Sequence, residues 1–275
     1  MDNAILITGF NGEIGRQTLL SLSKKEIPII ALDINESDIK YNNVIYIKDS
    51  ILNQNVITSI FNNYNIIEVY HFAALLSQSA NNDPELAHKV NEEGSKLIIN
   101  FAMSHGIKNE SFVKIFFPSS IAVYGPRKLK NAKEPDIIKP QTIYGCNKLA
   151  IEQFGTQRHE ESIELGFGID FRCLRFPGII SPYTIPFGGT TDFAPQMLHA
   201  AYNNERYTCK VDSTTTLPFL GIKNAVEAIV QIMSIQNIDS KLRTFNVQEM
   251  NLNPKEIIAE LQKEFPKFIV DYDID

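Results

Sequence analysis

Short apolar stretches at 4–8, 27–33, 44–47, 68–72, 113–119 and 171–175 alternate with helical patterns near 12–24, 53–64, 84–104 and 144–165. This alternation constrains the chain more than any other feature. Two parallel strands cannot be joined by a tight turn, so strand, helix, strand in succession builds a parallel sheet covered by helices. The expected fold class is therefore α/β, a doubly wound parallel sheet. One helix is marked at both ends: Asp83 precedes Pro84, as an N-cap precedes proline at the first helical position, and Gly106 stands where the helix is expected to stop.

The texture changes after Arg175. Pro177, Gly178, Pro182, Pro186, Gly188 and Gly189 fall within a thirteen-residue stretch and predict a loop that leaves the sheet; a loop of that length is usually functional. Beyond it lie a helix near 193–204, an apolar segment at 217–220, a helix near 222–235, a strand at 244–247 and a helix at 254–264. This organisation predicts a main body from 1–175 plus 221–247 and a small α/β lobe from 176–220 plus 248–275.

The first strand runs into Gly9, Asn11, Gly12, Glu13, Ile14 and Gly15 before a helix begins. Glycines at such a turn let backbone N–H groups approach a pyrophosphate without Cβ obstruction, and the helix dipole favours negative charge there. The second strand ends in Asp33, at the distance expected for a carboxylate that binds adenosine ribose hydroxyls. Together they argue for a Rossmann-type sheet that binds NAD, although the glycines alone also suit an ordinary βα turn and Asp33 a solvated residue capping a loop. A 2′-phosphate would be repelled by Asp33, and Ile34 and Asn35 offer no arginine to receive it.

Composition removes other classes. At 275 residues, 44% hydrophobic and 21% charged, the chain is neither disordered nor fibrous. No stretch approaches a membrane span, and no basic region with an apolar leader precedes the first strand, so a cytoplasmic address is expected. Cys146, Cys173 and Cys209 are widely spaced without a Cys-x-x-Cys pair, which fits reduced thiols and no metal site. His71 is expected to be a hydrogen-bonded core histidine. The net charge of −6 and the lack of a basic stripe beyond a short run at 127–130, expected to be a solvated loop, argue against nucleic acid.

The chemistry is carried by Tyr144 and Lys148, one helical turn apart on the same face. Tyrosine is a poor base in water because its pKa is about 10. A cation ~4 Å away at an effective dielectric of ~20 contributes on the order of 4 kcal/mol, comparable with the roughly 2–3 units needed to bring the phenol near neutrality. Such a phenolate would take the proton from a substrate hydroxyl while hydride leaves the same carbon. Ser119 and Ser120, where the fifth strand finishes, are two candidates to orient the substrate oxygen; ligands of open α/β sheets bind at such strand ends.

In order along the chain, Thr8 to Gly15, Asp33, His71-Phe72-Ala73-Ala74, Pro118-Ser119-Ser120 and Tyr144-x-x-x-Lys148 resemble the extended short-chain dehydrogenase/reductase superfamily, which also contains nucleotide-sugar epimerases and dehydratases. The segments 73–77, 117–126, 175–181 and 188–194 further resemble its short-chain L-threonine 3-dehydrogenase branch. That resemblance implies NAD-dependent oxidation of the 3-hydroxyl of L-threonine to 2-amino-3-ketobutyrate, with Tyr144 as base, Lys148 as its electrostatic partner and ribose ligand, and Ser120 as hydroxyl anchor. It also implies cofactor contacts at Asp49, Ser50, Ala73, Ala74, Leu75, Asn91 and Pro177, and substrate contacts at Ser77, Ser119, Gly178, Thr190, Thr191 and Asp192. Asp192 suits an ammonium group, although Thr190-Thr191-Asp192 also reads as an N-cap.

Relatives usually continue for a few tens of residues and carry a tryptophan near the substrate, whereas this sequence stops at Asp275 without one, so weakened substrate closure is expected. Helices 84–104 and 144–165 are expected to form a two-fold bundle in a homodimer, as in relatives. A nucleotide-sugar epimerase or dehydratase is the nearest alternative; against it, Phe176-Pro177-Gly178 follows Arg175 where such enzymes commonly place an asparagine. A catalytically silent NAD-binding protein is the alternative from another class, opposed by intact Tyr144, Lys148 and Ser120.

Overall fold

In the computed structural model, residues 2–125, 132–134, 138–184, 189, 191–238 and 241–274 are described. The basic run at 127–130 and the candidate Thr190 lie outside them. The chain begins β1 (Asn3–Thr8), α1 (Glu13–Leu22), β2 (Ile29–Asp33), β3 (Val44–Lys48), α2 (Gln54–Asn63) and β4 (Asn65–His71). It continues with α3 (Ser77–Asn82), α4 (Pro84–Ala87), a π-helical stretch (His88–Gly94), α5 (Ser95–Lys108), β5 (Phe112–Ser120), a 3₁₀ turn (Ile121–Tyr124), α6 (Ile143–Leu165) and β6 (Gly168–Phe176). Then come β7 (Gly178–Ile180), α7 (Phe193–Tyr202), β8 (Tyr207–Cys209), β9 (Leu217–Gly221), α8 (Ile222–Ser234), β10 (Thr244–Asn246), β11 (Met250–Leu252), α9 (Pro254–Glu264) and β12 (Val270–Tyr272).

Two compact units result, Met1–Arg175 with Val226–Asn246, and Phe176–Ala225 with Val247–Asp275. The first holds a seven-stranded parallel sheet in the order β10-β6-β5-β4-β1-β2-β3. Its register sets Ile5 beside Ile29 and Thr8 beside His71. Strands covered on both faces need apolar residues at successive positions, and residues 4–7 and 29–32 are all buried. Leu6, Ile30, Val69, Ile98, Ile115 and Phe171 belong to one contiguous cluster. Each such side chain contributes roughly 1.5–3 kcal/mol by leaving water. The second unit pairs β11-β9-β7 and β12-β8, with Phe193, Met197, Phe219 and Ile257 in its core. The predicted loop after Arg175 thus contains a strand, because Gly178, Ile179 and Ile180 find β9 as a parallel partner.

The predicted start of the third long helix holds: Asp83 accepts from the Leu86 N–H at 2.9 Å, with Pro84 in the first turn. Its end differs. The helix passes Gly106 and runs to Lys108, and a Cβ at Gly106 would strike the backbone carbonyls of Gly168 and Ser111. This glycine serves close packing, not termination. Among the described residues no helix is long and apolar enough to cross a membrane.

Helix α6 carries the tyrosine and lysine. Thr142 caps its start by accepting from the Gly145 N–H at 3.0 Å, and Gly166, at φ +82°, ends it. Its buried stripe, Lys148, Ile151, Glu152, Gly155, His159 and Ser162, follows helical spacing but is largely polar. Gly155 lies against the Phe171 ring, which leaves no room for a Cβ. Replacing Gly155 by Ala should therefore destabilise the protein by about 1–3 kcal/mol, as overpacking does, despite alanine's higher helix propensity. Urea denaturation of the two proteins measures the difference.

Candidate functional site

The carboxyl ends of β1, β2, β4 and β5 gather most of the residues singled out in the sequence. After β1 the backbone turns at Gly9, whose φ of +69° strains any residue with a Cβ. A Cβ there would also meet Phe72 C at 2.6 Å and overlap the Ala73 nitrogen. At Gly15 it would overlap the Gly9 carbonyl, so these two glycines seat the turn against the segment leaving β4 and against α1. Gly12 differs, since the nearest atom to a Cβ there is the Gly9 oxygen at 3.4 Å. It is the N-cap of α1, and no side chain caps that helix. The stretch Asn11, Gly12, Glu13, Ile14 thus forms an uncrowded helix start with the positive end of its dipole outward, which fits a pyrophosphate.

Asp33 ends β2 and is buried. Its two oxygens accept backbone N–H groups of Asn11 at 3.0 Å and Asn35 at 2.9 Å. Each oxygen keeps a second lone pair, the acceptor set that a ribose diol requires. The Asn11 amide donates to the carbonyls of Asn35 and Glu36 at 3.0 and 3.1 Å and fastens the following loop. Beyond β3, Asp49 accepts from the Ser50 N–H at 2.7 Å and the Asn53 amide at 3.1 Å, so the Asp49-Ser50 pair shapes the turn into α2.

Ala73, Ala74 and Leu75 follow β4, and Asn91, in the π-helical stretch, grips Leu75 from both sides. It accepts the Leu75 N–H at 2.7 Å and donates to the Leu75 carbonyl at 3.0 Å. The observed contact of Asn91 is thus with the loop that carries three other candidate cofactor residues. Ser77 opens α3 and is partly exposed. His71 is a buried, hydrogen-bonded core residue, 2.6 Å from Thr8 Oγ1 and 2.8 Å from Ser95 Oγ. Burial first, and the Lys148 charge second, hold its imidazole down at about 3 and therefore neutral.

Two contacts join the start of α6 to the end of β5. Lys148 Nζ donates to the Pro118 carbonyl at 2.7 Å, and Gly145 lies so near Ala122 that a Cβ would sit 2.6 Å from its carbonyl oxygen. Lys148 Nζ lies 5.5 Å from the Tyr144 ring centre and 4.5 Å from that of Phe117. The lysine stands beside the tyrosine, but the expected lowering of the phenol is not what the free chain has. Burial pushes Tyr144 up to about 12, and the same loss of water brings Lys148 down to about 8. Loss of water dominates at both groups, because burial penalises the charged form of each.

The serines separate by the alternation of β5. Ser119 is buried and donates to Glu152 Oε1, so its proton is committed to that carboxylate. Ser120 is partly exposed and accepts from the Ala122 N–H at 3.2 Å. The glutamate, one turn beyond Lys148, also pairs with buried Arg175 at 2.7 Å. Sequence reading gave neither a role in the site; the visible signal for Glu152 was the spacing Tyr144, Lys148, Glu152.

The second unit carries the remaining candidates. Pro177 precedes β7, and Gly178 is packed against Thr191 and the Phe219 ring, 2.6 and 2.7 Å from where its Cβ would be. Asp192 adjoins the start of α7 without a side-chain cap bond to that helix. Its carboxylate instead accepts the Gly189 N–H at 2.6 Å, and burial raises its pKa.

The glycines therefore separate by substitution. Gly9→Ala should cost about 1–3 kcal/mol of stability through backbone strain, whereas Gly12→Ala should stay within about 0.5 kcal/mol and chiefly weaken dinucleotide binding. Denaturation and NAD titration of the two variants read these effects.

Residues 5–247 match the sequence profile of the NAD dependent epimerase/dehydratase family. The chain is 33% identical over 276 residues to a mitochondrial L-threonine 3-dehydrogenase of Bos taurus, covering 98% of this chain and 71% of that one. Its structure is similar to that of a GalE-like L-threonine dehydrogenase from Cupriavidus necator in holo form, with TM-score 0.87, 27% identity and coverage of 99% and 86%. It is also similar to a monomeric L-threonine 3-dehydrogenase from a metagenome, with TM-score 0.86, 31% identity and coverage of 98% and 85%. A glycine turn, an acidic β2 terminus and the Tyr144 and Lys148 pair thus stand on a fold and sequence shared across nearly the whole chain, which belongs to the NAD dependent epimerase/dehydratase family.

Proposed function

We propose that this chain oxidises the 3-hydroxyl of L-threonine with NAD, yielding 2-amino-3-ketobutyrate, NADH and a proton. The observation that carries this reading is the joining of Tyr144 and Lys148 to the Ser120 end of β5, in a chain similar along almost its full length to L-threonine 3-dehydrogenases. When bound, NAD supplies the hydride acceptor and a positively charged ring that favours a nearby anion. Asp33 receives the ribose hydroxyls, and the turn from Gly9 to Gly15 receives the pyrophosphate.

Ser120 holds the substrate hydroxyl and Tyr144 removes its proton as the carbon is oxidised. Lys148 stabilises the phenolate that accepts this proton, leaving a neutral phenol afterwards, and binds ribose. Burial raises the phenol pKa, so positive charge beside it is what makes it a base. On residue type, Asp192 is assigned to the substrate ammonium, with Thr191 and Ser77 as hydroxyl contacts. Pro177, Ala73, Ala74 and Leu75 remain proposed cofactor contacts. Ser119 and Gly178 remain proposed substrate contacts, beside the Ser119 bond to Glu152 and the packing of Gly178 against Thr191 and Phe219.

We also place the protein in the cytoplasm, a reading supported by its three free cysteines. A homodimer through α5 and α6 is proposed from the long helices; light scattering at micromolar concentration decides it, a monomeric mass being the contrary result.

Purified protein with NAD and L-threonine should produce NADH, read at 340 nm, with little signal from NADP. Tyr144→Phe should bind NAD within about twofold of wild type yet lose at least about 100-fold in kcat, the scale of general-base catalysis. Absence of threonine-dependent NADH, with binding of a UDP-sugar in its place, would move the assignment to nucleotide-sugar chemistry. NAD binding without turnover of either would leave a silent binding protein.

A further inference from the structure

The side chain of Arg175, at the end of β6, is buried and hydrogen-bonds in three directions. Nε and Nη2 donate to the two oxygens of Glu152 at 2.9 and 2.7 Å. Nη1 donates to the Tyr124 hydroxyl at 2.8 Å and to the Glu134 carbonyl at 3.2 Å. Glu152 lies one turn after Lys148 on α6, and its Oε1 also accepts from Ser119, the neighbour of Ser120. Tyr124 is the last residue of the 3₁₀ turn that Ser120 caps, and its hydroxyl lies 2.8 Å from Asn246 Oδ1 at the end of β10.

One guanidinium therefore reaches both ends of the Ser120 turn, through Ser119 on one side and Tyr124 on the other, and reaches the helix of Tyr144 and Lys148 through Glu152. A bidentate guanidinium–carboxylate pair is directional and fixes both partners. An ordinary core contact would serve stability equally well, because a buried ion pair seldom stabilises more than apolar groups of similar volume.

We propose that Arg175, acting through Glu152 and Tyr124, is a positioning residue that sets Ser120 against Tyr144 and Lys148. This rests on the function proposed above. Arg175 is not itself a catalytic residue, since its donors are occupied by protein groups.

Tyr124→Phe deletes one hydroxyl and keeps the ring; Arg175→Lys keeps the charge and loses the fork. Both are milder than removing the ion. Each should reduce kcat for threonine on the order of 10-fold, with KM and NAD affinity within about twofold, because small misplacements are costly to turnover. In crystals of the free variants the Ser120 hydroxyl should move by about 1 Å, the scale at which such losses arise. Arg175→Lys, which retains one bond to Glu152, should keep Ser119 in place while releasing Tyr124.

Variants that fall in thermal stability but retain wild-type kcat and an unmoved Ser120 would overturn the proposal, as would a fall in kcat with Ser120 unmoved. If wild type forms no NADH with threonine, the proposed reaction fails on its own account. The position of Ser120 in the free variant crystals then decides the inference by itself.

Discussion

Taking a guanidinium out of water costs several kcal/mol unless its donors are all met, and breaking a buried pair by removing one partner typically costs about 3–5 kcal/mol. The Arg175–Glu152 pair approaches this condition, four hydrogen bonds to protein oxygens serving its five N–H groups, by drawing on many elements at once: α6, the turn after β5, the segment 132–134 and, through Tyr124, β10. A shift of α6 would leave the charge unpartnered, and a shift of the others would cost the guanidinium or Tyr124 a hydrogen bond. Asn246 tightens the same knot from the sheet edge, donating its amide to Ala132 while its backbone N–H binds Glu134 Oε1 at 3.0 Å. The apolar cluster holds sheet and helices together without direction; this polar knot gives the carboxyl ends of β5 and β6 their definite arrangement.

Much of the fold is legible in the residues because apolar period and turn chemistry agree there. Runs such as 4–8 and 29–33 admit one reading in a doubly covered sheet, and Asp83-Pro84 states a helix start in two residues. The short strands of the second unit are less visible. Three residues such as Tyr207, Thr208 and Cys209 carry too little pattern, and their partner β12 is sixty residues away. Gly106 misleads because a glycine needed for close approach looks, in sequence, like one that ends a helix.

The site divides in the same way. The glycine turn and Asp33 stand out because backbone approach and ribose binding demand particular residue types at fixed distances. Ser119 and Ser120 differ in burial through the alternation of β5, and no local signal reports which of two neighbours faces inward. Helix α6 hides its buried face because Lys148, Glu152, His159 and Ser162 occupy positions where apolar residues would advertise burial. The Tyr144 phenol was misjudged for a related reason: spacing reveals that a lysine is near, but not that both groups lose water together.

The π-helical stretch at His88–Gly94 acts as a phase shifter. Each α-helical residue advances about 100° around the axis, so in one unbroken register Asn91 would share a face with Ile98 and Ala102, seven and eleven residues on. Widening one turn resets that count. Asn91 can then face the Leu75 peptide, while Ile98, Ile99 and Ala102 downstream face the sheet. One continuous rod thereby holds both the loop after β4 and the apolar core, without a break in the chain.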